Sequence, residues 1–261
     1  MSNSFQSIFQ HGLRGPFDII GDVHGCIDEL LELLEKLGYE VNEENPEAKF
    51  FQVTTPPSRR AIFLGDLVDR GPDTPAVVGL VRSMVAKGQA LCVLGNHDVK
   101  LVKKLKGHNV KIAHGLAESL EQIAPYAEEF KRGVVEFFET LPSHCILDDG
   151  KLVVAHAGIK ESMQGKDSPM VRAFTLFGDV SGENDEYGLP IRKDWGRNYE
   201  GAATVIHGHT PVLEPRVVNR TVCIDTGCVF GGKLTAYRYP ENEFVSVPAK
   251  KQYSDYVKPL S

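Results

Sequence analysis

The chain contains five short polar motifs, and each of them lies at the end of an apolar, strand-like run. They are GDVHG (Gly21–Gly25), GDLVDRG (Gly65–Gly71), GNHD (Gly95–Asp98), HAGI (His156–Ile159) and HGHT (His207–Thr210). Parallel α/β sheets carry their functional groups at the carboxyl ends of the strands. The pattern therefore predicts an α/β protein in which distant parts of the chain meet at the carboxyl ends of its strands.

The apolar spacing between the motifs predicts alternating strands and helices in the first half of the chain. The predicted strands are 17–20, 61–64 and 90–94. The predicted helices are 27–37 and 74–87, with Gly38 and Gly88 as stop signals. The segment 41–58 is expected to be a loop or an irregular hairpin, and 99–141 is expected to be mostly helical.

The second half of the chain has the pattern of several short strands. They are expected at 152–155, 203–207, 221–225, 234–239 and 243–247, and short connections among the last three favour antiparallel hairpins. No linker rich in Gly, Ser or Pro separates the halves, and both halves contribute motifs. We therefore expect one domain over 16–261, preceded by a flexible N-terminal arm over 1–15.

Composition excludes several classes of protein. The net charge of −6 argues against broad, non-specific binding of nucleic acids, which needs a basic surface. The five cysteines form no CxxC pair, and Cys26, Cys92 and Cys223 lie in or beside apolar runs, as small buried side chains do. A disulfide framework is therefore not expected. With no signal-peptide pattern and no run of membrane-span length, the chain is expected to be cytoplasmic, without a membrane partner.

The motifs supply nitrogen and oxygen ligands for metal ions. Asp66 has two carboxylate oxygens that can bridge two ions, and Asn96 offers a neutral amide oxygen. A set without cysteine suits Mn²⁺, Fe, Zn²⁺ or Ni²⁺ better than a structural zinc site built on thiolates. The candidate ligands are Asp22, His24, Asp66, Asn96, His156 and His209.

Together and in this order, the five motifs resemble those of the calcineurin-like metallophosphoesterases, in the branch that holds phosphoprotein phosphatases and diadenosine tetraphosphatases. The resemblance spans roughly residues 17–247. It implies a four-layer αββα sandwich, with two mixed β-sheets flanked by helices and a dinuclear metal site at the strand carboxyl ends. It also implies two divalent ions, with Mn²⁺ expected and Fe, Zn²⁺, Ni²⁺ or Co²⁺ as alternatives.

The resemblance also implies a role for each motif residue. Asp22 and His24 would bind the first ion, Asp66 would bridge, and Asn96, His156 and His209 would bind the second ion. His97 would act as general acid, oriented by Asp69, while Arg70 and Asn96 would hold phosphoryl oxygens. A hydroxide that bridges the ions would attack in line, without a covalent intermediate. Asp225 and His207 are candidates for outer positions that orient the ligands.

The segment Asp225–Gly232 (DTGCVFGG) resembles diadenosine tetraphosphatases and the phosphatase module of bacterial polynucleotide kinase-phosphatases. The leading expectation is a bis(5′-nucleosyl)-tetraphosphatase-like enzyme acting on a nucleotide or another phosphorylated small molecule. A protein serine/threonine or tyrosine phosphatase is an alternative, as is an RNA-end 3′-phosphatase or 2′,3′-cyclic phosphodiesterase. A non-enzymatic alternative is an inactive binding module, although the intact ligand set counts against it.

Other phosphate chemistries lack their motifs in this chain. No cysteine is followed six positions later by arginine, and neither a DxDx[TV] nucleophile nor a GxxxxGK[ST] loop is present. The lysines after GNHD are expected to form a solvated helix face, with contact to distal phosphates as the alternative. They are Lys100, Lys103, Lys104, Lys106 and Lys111.

Overall fold

The fold consists of two mixed sheets of five strands each, seen in a computed structural model that describes residues 8–10 and 12–256. The elements of the first half are β1 (Phe17–Ile20), α1 (Ile27–Lys36), β2 (Glu40–Asn45), β3 (Phe50–Thr54), β4 (Arg60–Phe63), α2 (Thr74–Ala86), β5 (Ala90–Cys92), α3 (Asn96–Leu105), α4 (Leu116–Ile123) and α5 (Glu128–Glu139). Those of the second half are β6 (His144–Leu147), β7 (Leu152–Ala155), α6 (Pro169–Phe177), β8 (Val180–Asn184), β9 (Pro190–Arg192), β10 (Thr204–His207), β11 (Arg216–Val218), β12 (Thr221–Cys223), β13 (Lys233–Tyr239) and β14 (Glu243–Pro248).

The strand order places the motifs on neighbouring strands of each sheet. The first sheet has the order β14-β13-β1-β4-β5, and its strands β1, β4 and β5 are parallel. The second sheet has the order β11-β12-β10-β7-β6, and its strands β7, β10 and β12 are parallel. Two small hairpins, β2–β3 and β8–β9, lie outside these sheets.

The sheets pack face to face because their strands alternate between two apolar surroundings. In β4, Ile62 belongs to the core between the sheets, whereas Ala61 and Phe63 belong to the core shared with α1–α5. In β7, Val154 faces the first sheet, and Val153 packs with α6 and Trp195. Strands buried on both faces have nearly continuous apolar sequences. The predicted four-layer αββα architecture is confirmed.

The pairing predicted for the last three strands is wrong in one part. Strands β13 and β14 do form an antiparallel hairpin, but β12 belongs to the second sheet, where it pairs with β10 and β11. The chain crosses between the sheets over 224–232 because β13 pairs with β1, more than 200 residues earlier in the chain. Pairing over that distance leaves no local pattern. The sequence also did not indicate β6, β8, β9, β11 and α6.

Residues 41–58 contain the antiparallel hairpin β2–β3, whose register shifts between Glu43 and Asn45, as expected of an irregular hairpin.

The predicted N-terminal arm lies partly outside the described residues. Within them, Ile8 O accepts a hydrogen bond from Ile146 N at 2.8 Å, and Gln10 N donates to Ile146 O at 3.0 Å.

The buried ring of His144 makes stability depend on pH. Its Nε2 accepts a hydrogen bond from Gly165 N at 3.0 Å, and burial lowers its pKa from 6.5 to about 4. The unfolded chain therefore binds a proton that the folded chain does not, and stability falls as pH decreases from 6.5 towards 4. His144→Gln should weaken this dependence, by about 1–3 kcal/mol in the free energy of unfolding between pH 7.5 and 4.5. Urea titrations at both pH values measure it, and identical losses in both proteins would contradict the prediction.

Candidate metal centre

The structure places each predicted motif directly after a strand of one of the two sheets. Strand β1 leads to Asp22 and β4 to Asp66, while β5 leads to Asn96 and His97 at the beginning of α3. In the second sheet, β7 leads to His156 and β10 to His209. The two sheets therefore contribute side chains to one centre, as the motif positions predict.

Asp66 stands at the middle of the centre. Its Oδ1 accepts a hydrogen bond from His97 N at the beginning of α3, at 2.9 Å. Its Oδ2 lies 3.6 Å from His24 Nε2 and 3.4 Å from His156 Nε2, which come from different sheets. One oxygen is thus held by the helix, and the other faces two imidazoles, where a shared ligand of two ions would stand.

Backbone carbonyls orient the two imidazoles. His24 Nδ1 lies 2.8 Å from Val68 O, and His156 Nδ1 lies 2.9 Å from Leu64 O. Each Nδ1 must donate its proton there, so each Nε2 carries a lone pair rather than a proton. Burial lowers the pKa of both rings, that of His156 to about 3, so both rings stay neutral, as metal ligands must be.

The second group of ligand atoms surrounds His156. Its Nε2 lies 3.0 Å from Asn96 Oδ1 and 3.1 Å from His209 Nδ1. Among the described residues, the buried atoms His209 Nε2 and Asp22 Oδ1 have no hydrogen-bond partner. Leaving such an atom unsatisfied costs about 1–3 kcal/mol. An amide oxygen and imidazole nitrogens that converge at 3.0–3.1 Å fit a bound cation.

Buried carboxylates make the centre electrostatically unfavourable without cations. Burial is the main cause that raises the pKa of Asp22, Asp66 and Asp225, to about 7 for the last two. Repulsion between their negative charges raises these pKa values as well: Asp225 and Asp66 act on Asp22, and Asp66 acts on Asp225. Divalent ions would supply the missing positive charge. The donor set of carboxylate, amide and imidazole groups therefore fits the two predicted ions.

Two motif glycines are required by close contacts with the carboxylates. A Cβ on Gly95 would lie 2.2 Å from Asp66 Oδ1, and one on Gly208 would lie 2.0 Å from Asp22 Oδ1. No side chain fits at such distances. The glycines of GNHD and HGHT therefore let the backbone close around the ligands.

The motif backbone adopts left-handed conformations that non-glycine residues rarely take. The φ angles are 46° at His24, 46° at Asp66, 74° at Asp69, 71° at Arg70 and 69° at His209. Such strain concentrates at functional sites. The spacing of Asp22 and His24, two residues apart after a strand, predicts that they share one face of an extended chain. That expectation is wrong, because a turn places them, with His24 at a φ of 46°.

His97 and Asp69 form the predicted pair. His97 Nδ1 lies 2.6 Å from Asp69 Oδ2, and both side chains are buried. Asp69 N donates to Ser119 Oγ at 2.9 Å, which anchors the loop on α4. Burial raises the pKa of Asp69 to about 6 and lowers that of His97. The carboxylate fixes the ring, so that Nε2 is the atom left to exchange a proton with a substrate.

Two arginines approach the centre. Arg70 Nη1 lies 2.9 Å from His24 Nε2, and its guanidinium lies 5.2 Å from the centre of the Phe230 ring. Arg192, in the sequence a weaker candidate than the lysines for attracting distal phosphates, has a buried Nε without a hydrogen-bond partner among the described residues. Its positive charge lowers the pKa of Asp66, Asp225 and His209. No motif surrounds it, so the sequence did not predict its place beside the centre.

Asp98 is a positioning residue that the sequence interpretation missed. Its Oδ2 accepts hydrogen bonds from Asp66 N at 2.9 Å and Gly95 N at 3.0 Å, and its Oδ1 accepts one from Leu67 N at 3.0 Å. It therefore holds the Asp66 loop against the beginning of α3. The acidic residue at the third helical position was a detectable signal, because that position forms a capping box.

The remaining candidates lie around the centre. Asp225 Oδ1 accepts a hydrogen bond from Gly227 N at 3.1 Å. Of the neighbouring charges, that of Asp225 raises the pKa of Asp22 the most. His207 packs on Trp195, with ring centres 5.2 Å apart, in a cavity of about 170 Å³ that His209 and Arg216 also line. Of the lysines, Lys100 Nζ donates to Ala113 O near Asp69, and Lys103, Lys106 and Lys111 are exposed.

Comparison with known proteins agrees with the site. The family model for calcineurin-like phosphoesterases matches residues 15–213. The bis(5′-nucleosyl)-tetraphosphatase PrpE (asymmetrical) of Bacillus subtilis is 46% identical over 243 residues, which cover 92% of this chain and 97% of that protein. The protein of the same name from Anoxybacillus flavithermus is 45% identical over 241 residues, which cover 91% and 96%.

A solved structure shows the same fold. It is described as that of a candidate diadenosine tetraphosphatase and matches with a TM-score of 0.66 at 24% identity, covering 94% of this chain and 99% of its own. The fold and the site define a metallophosphoesterase. The chain belongs to the calcineurin-like phosphoesterase family, and it is a metal-dependent phosphohydrolase whose family implies two divalent ions.

Among the described residues, no helix is long and apolar enough to cross a membrane.

Proposed function

We propose that this protein hydrolyses bis(5′-nucleosyl) tetraphosphates asymmetrically, giving a nucleoside triphosphate and a nucleoside monophosphate. The observation that carries the proposal is the 45–46% identity to tetraphosphatases of that name over more than nine-tenths of both chains. The convergence of the five motifs on one centre supports it. A cytoplasmic location belongs to the same proposal.

The centre would hold two divalent ions, with Mn²⁺ proposed. Asp22 and His24 would bind the first, Asp66 Oδ2 would be shared, and the second would be held by the ligands Asn96, His156 and His209. Bound there, the ions would activate water and neutralise the charge of the phosphoryl group. Asp225, beside Asp22, would orient that carboxylate. His207, turned to Trp195, would line the adjoining cavity.

Four side chains would act on the substrate. Arg70 and the Asn96 amide would bind oxygens of the phosphoryl group under attack, and Arg192 would bind an oxygen elsewhere on the polyphosphate chain. A guanidinium suits this task because its planar fork matches the phosphate oxygens and stays charged. His97 Nε2 would give a proton to the leaving phosphate oxygen, while Asp69 keeps the ring oriented through Nδ1.

A substrate panel tests the proposal. One metal-free preparation is reconstituted with Mn²⁺, and kcat/KM is measured for diadenosine tetraphosphate, a phosphopeptide and a 2′,3′-cyclic nucleotide. We expect the dinucleotide to be preferred by about 10²-fold or more, because only its chain can occupy several phosphate contacts.

Product analysis provides the second readout. ATP and AMP in equal amounts support asymmetrical cleavage, and two molecules of ADP contradict it. A higher kcat/KM for the phosphopeptide would replace the proposal with a protein phosphatase. Metal-free protein is the control, and it should be inactive towards every substrate.

A further inference from the structure

The C-terminal segment 249–256 returns to the metal centre and docks on the Asp225–Gly232 loop. Tyr253 N and Ser254 N both donate to Val229 O at 3.0 Å. The buried Glu29 Oε1 accepts from Lys250 N and from the Tyr253 hydroxyl, each at 2.8 Å. These bonds anchor the segment to α1 and to the loop that carries Asp225.

The anchored segment places the ring of Tyr256 against the phosphate-binding side of the centre. Its ring centre lies 4.7 Å from that of Phe230, and the same Phe230 ring lies under the Arg70 guanidinium. Phe230 thus contacts both the ring of Tyr256, which is tilted by 44° against it, and the guanidinium of Arg70. Segment 249–256 reaches Phe230 because it folds back over the Asp225–Gly232 loop.

The charges around the Tyr256 phenol come from both sides of the centre. They are Arg70 after β4, Arg192 at the end of β9, Asp185 in the β8–β9 turn and Asp225 after β12. Burial raises the pKa of the phenol, so it keeps its proton and remains a hydrogen-bond donor. A neutral phenol near the positive charges of two guanidiniums fits an anionic oxygen.

We propose that the Tyr256 hydroxyl, together with Arg192, binds a phosphate of the polyphosphate chain next to the one being hydrolysed. Arg70 contacts His24 directly. Tyr256 contacts Phe230, and Phe230 contacts Arg70, so the phenol lies one ring farther from the candidate metal ligands than Arg70 does. A donor in that outer position meets the neighbouring phosphate rather than the reacting one. The substrate class is a nucleoside polyphosphate, and this inference rests on the proposed function.

Tyr256→Phe tests the inference by removing a single oxygen. We expect KM for diadenosine tetraphosphate to rise about tenfold, the effect of losing a hydrogen bond to a charged group, with kcat within twofold. For p-nitrophenyl phosphate, which has a single phosphate, both constants should stay the same. Tyr126→Phe, which removes a phenol from the connection between α4 and α5, is the matched control and should leave the constants for both substrates unchanged.

Inhibition by inorganic tripolyphosphate separates this inference from the proposed function. If the protein does not cleave the dinucleotide, the proposed function fails, and the inhibition constant against p-nitrophenyl phosphate still reports on Tyr256. That constant should rise about tenfold in Tyr256→Phe, for the same physical reason. An unchanged inhibition constant and unchanged KM, or an equal loss with p-nitrophenyl phosphate, would overturn the inference. A lowered melting temperature with equal losses for all substrates would assign the residue to structure.

Discussion

Replacing His97 with alanine should lower kcat for diadenosine tetraphosphate by about 10²–10⁴-fold and leave p-nitrophenyl phosphate hydrolysis much less affected. A phosphate leaving group gains from protonation, whereas p-nitrophenolate leaves readily without it. The pair with Asp69 at 2.6 Å holds the ring in one orientation, so the proton would come from Nε2. Steady-state kinetics with both substrates measure the contrast.

Metal content decides between two roles for this ring. His97 also lies close enough to His24 and Asp66 to belong to a group of metal-ligating atoms. A general acid can be removed without loss of metal, whereas removing a ligand lowers the content measured by mass spectrometry. Equal losses with both substrates, together with lost metal, would make His97 a ligand. His108→Ala, which removes an exposed imidazole of the loop between α3 and α4, is the control.

Asp66→Asn should remove metal from both positions and lower kcat/KM by more than about 10²-fold. Changes in groups that merely orient ligands already cost about 10–100-fold, so a shared ligand must cost more. Its Oδ2 lies within 3.6 Å of imidazoles from both sheets, which makes one substitution act on both ions. Metal analysis after dialysis and kcat/KM with saturating Mn²⁺ measure the two effects.

The same substitution should stabilise the metal-free protein. Burial raises the pKa of Asp66 to about 7, so at pH 8 folding must bury a charge that the unfolded chain exposes to water. Asparagine has the same shape, can keep the bond from His97 N and carries no charge. The melting temperature of the metal-free variant should therefore exceed that of the wild type at pH 8, and the difference should shrink as the pH falls below 7. A lower melting temperature at pH 8 would contradict the role of this buried charge.

The motif residues were predictable because their environment is encoded locally. An apolar run followed by Gly, Asp or His marks the end of a buried strand, and β1, β4, β5, β7 and β10 all end in this way. The pair His97–Asp69 and the position of Asp66 agree with the geometry that the family resemblance implies. Their catalytic roles remain predictions, which the substitutions above test.

Other parts of the centre carry no local signal. Arg192 stands at the end of a short, exposed hairpin strand, and Tyr256 lies in a polar tail, so neither sequence neighbourhood differs from ordinary surface. The pairing of β13 with β1 is equally hidden, because it joins residues more than 200 positions apart. Asp98 differs, since the helix-capping pattern at the beginning of α3 could have identified it.

The sequence by itself determined the chemistry: which carboxylates, imidazoles and amides stand at the ends of buried strands, and which glycines allow the backbone to pass close to them. Only the tertiary structure decided which atom of each group faces the centre and is placed to bind a metal ion. The carbonyls of Val68 and Leu64 accept hydrogen bonds from Nδ1 of His24 and His156, and the backbone at the beginning of α3 donates one to Asp66 Oδ1. These contacts join segments far apart in the chain. Their geometry depends on how the two sheets pack, which no local pattern specifies.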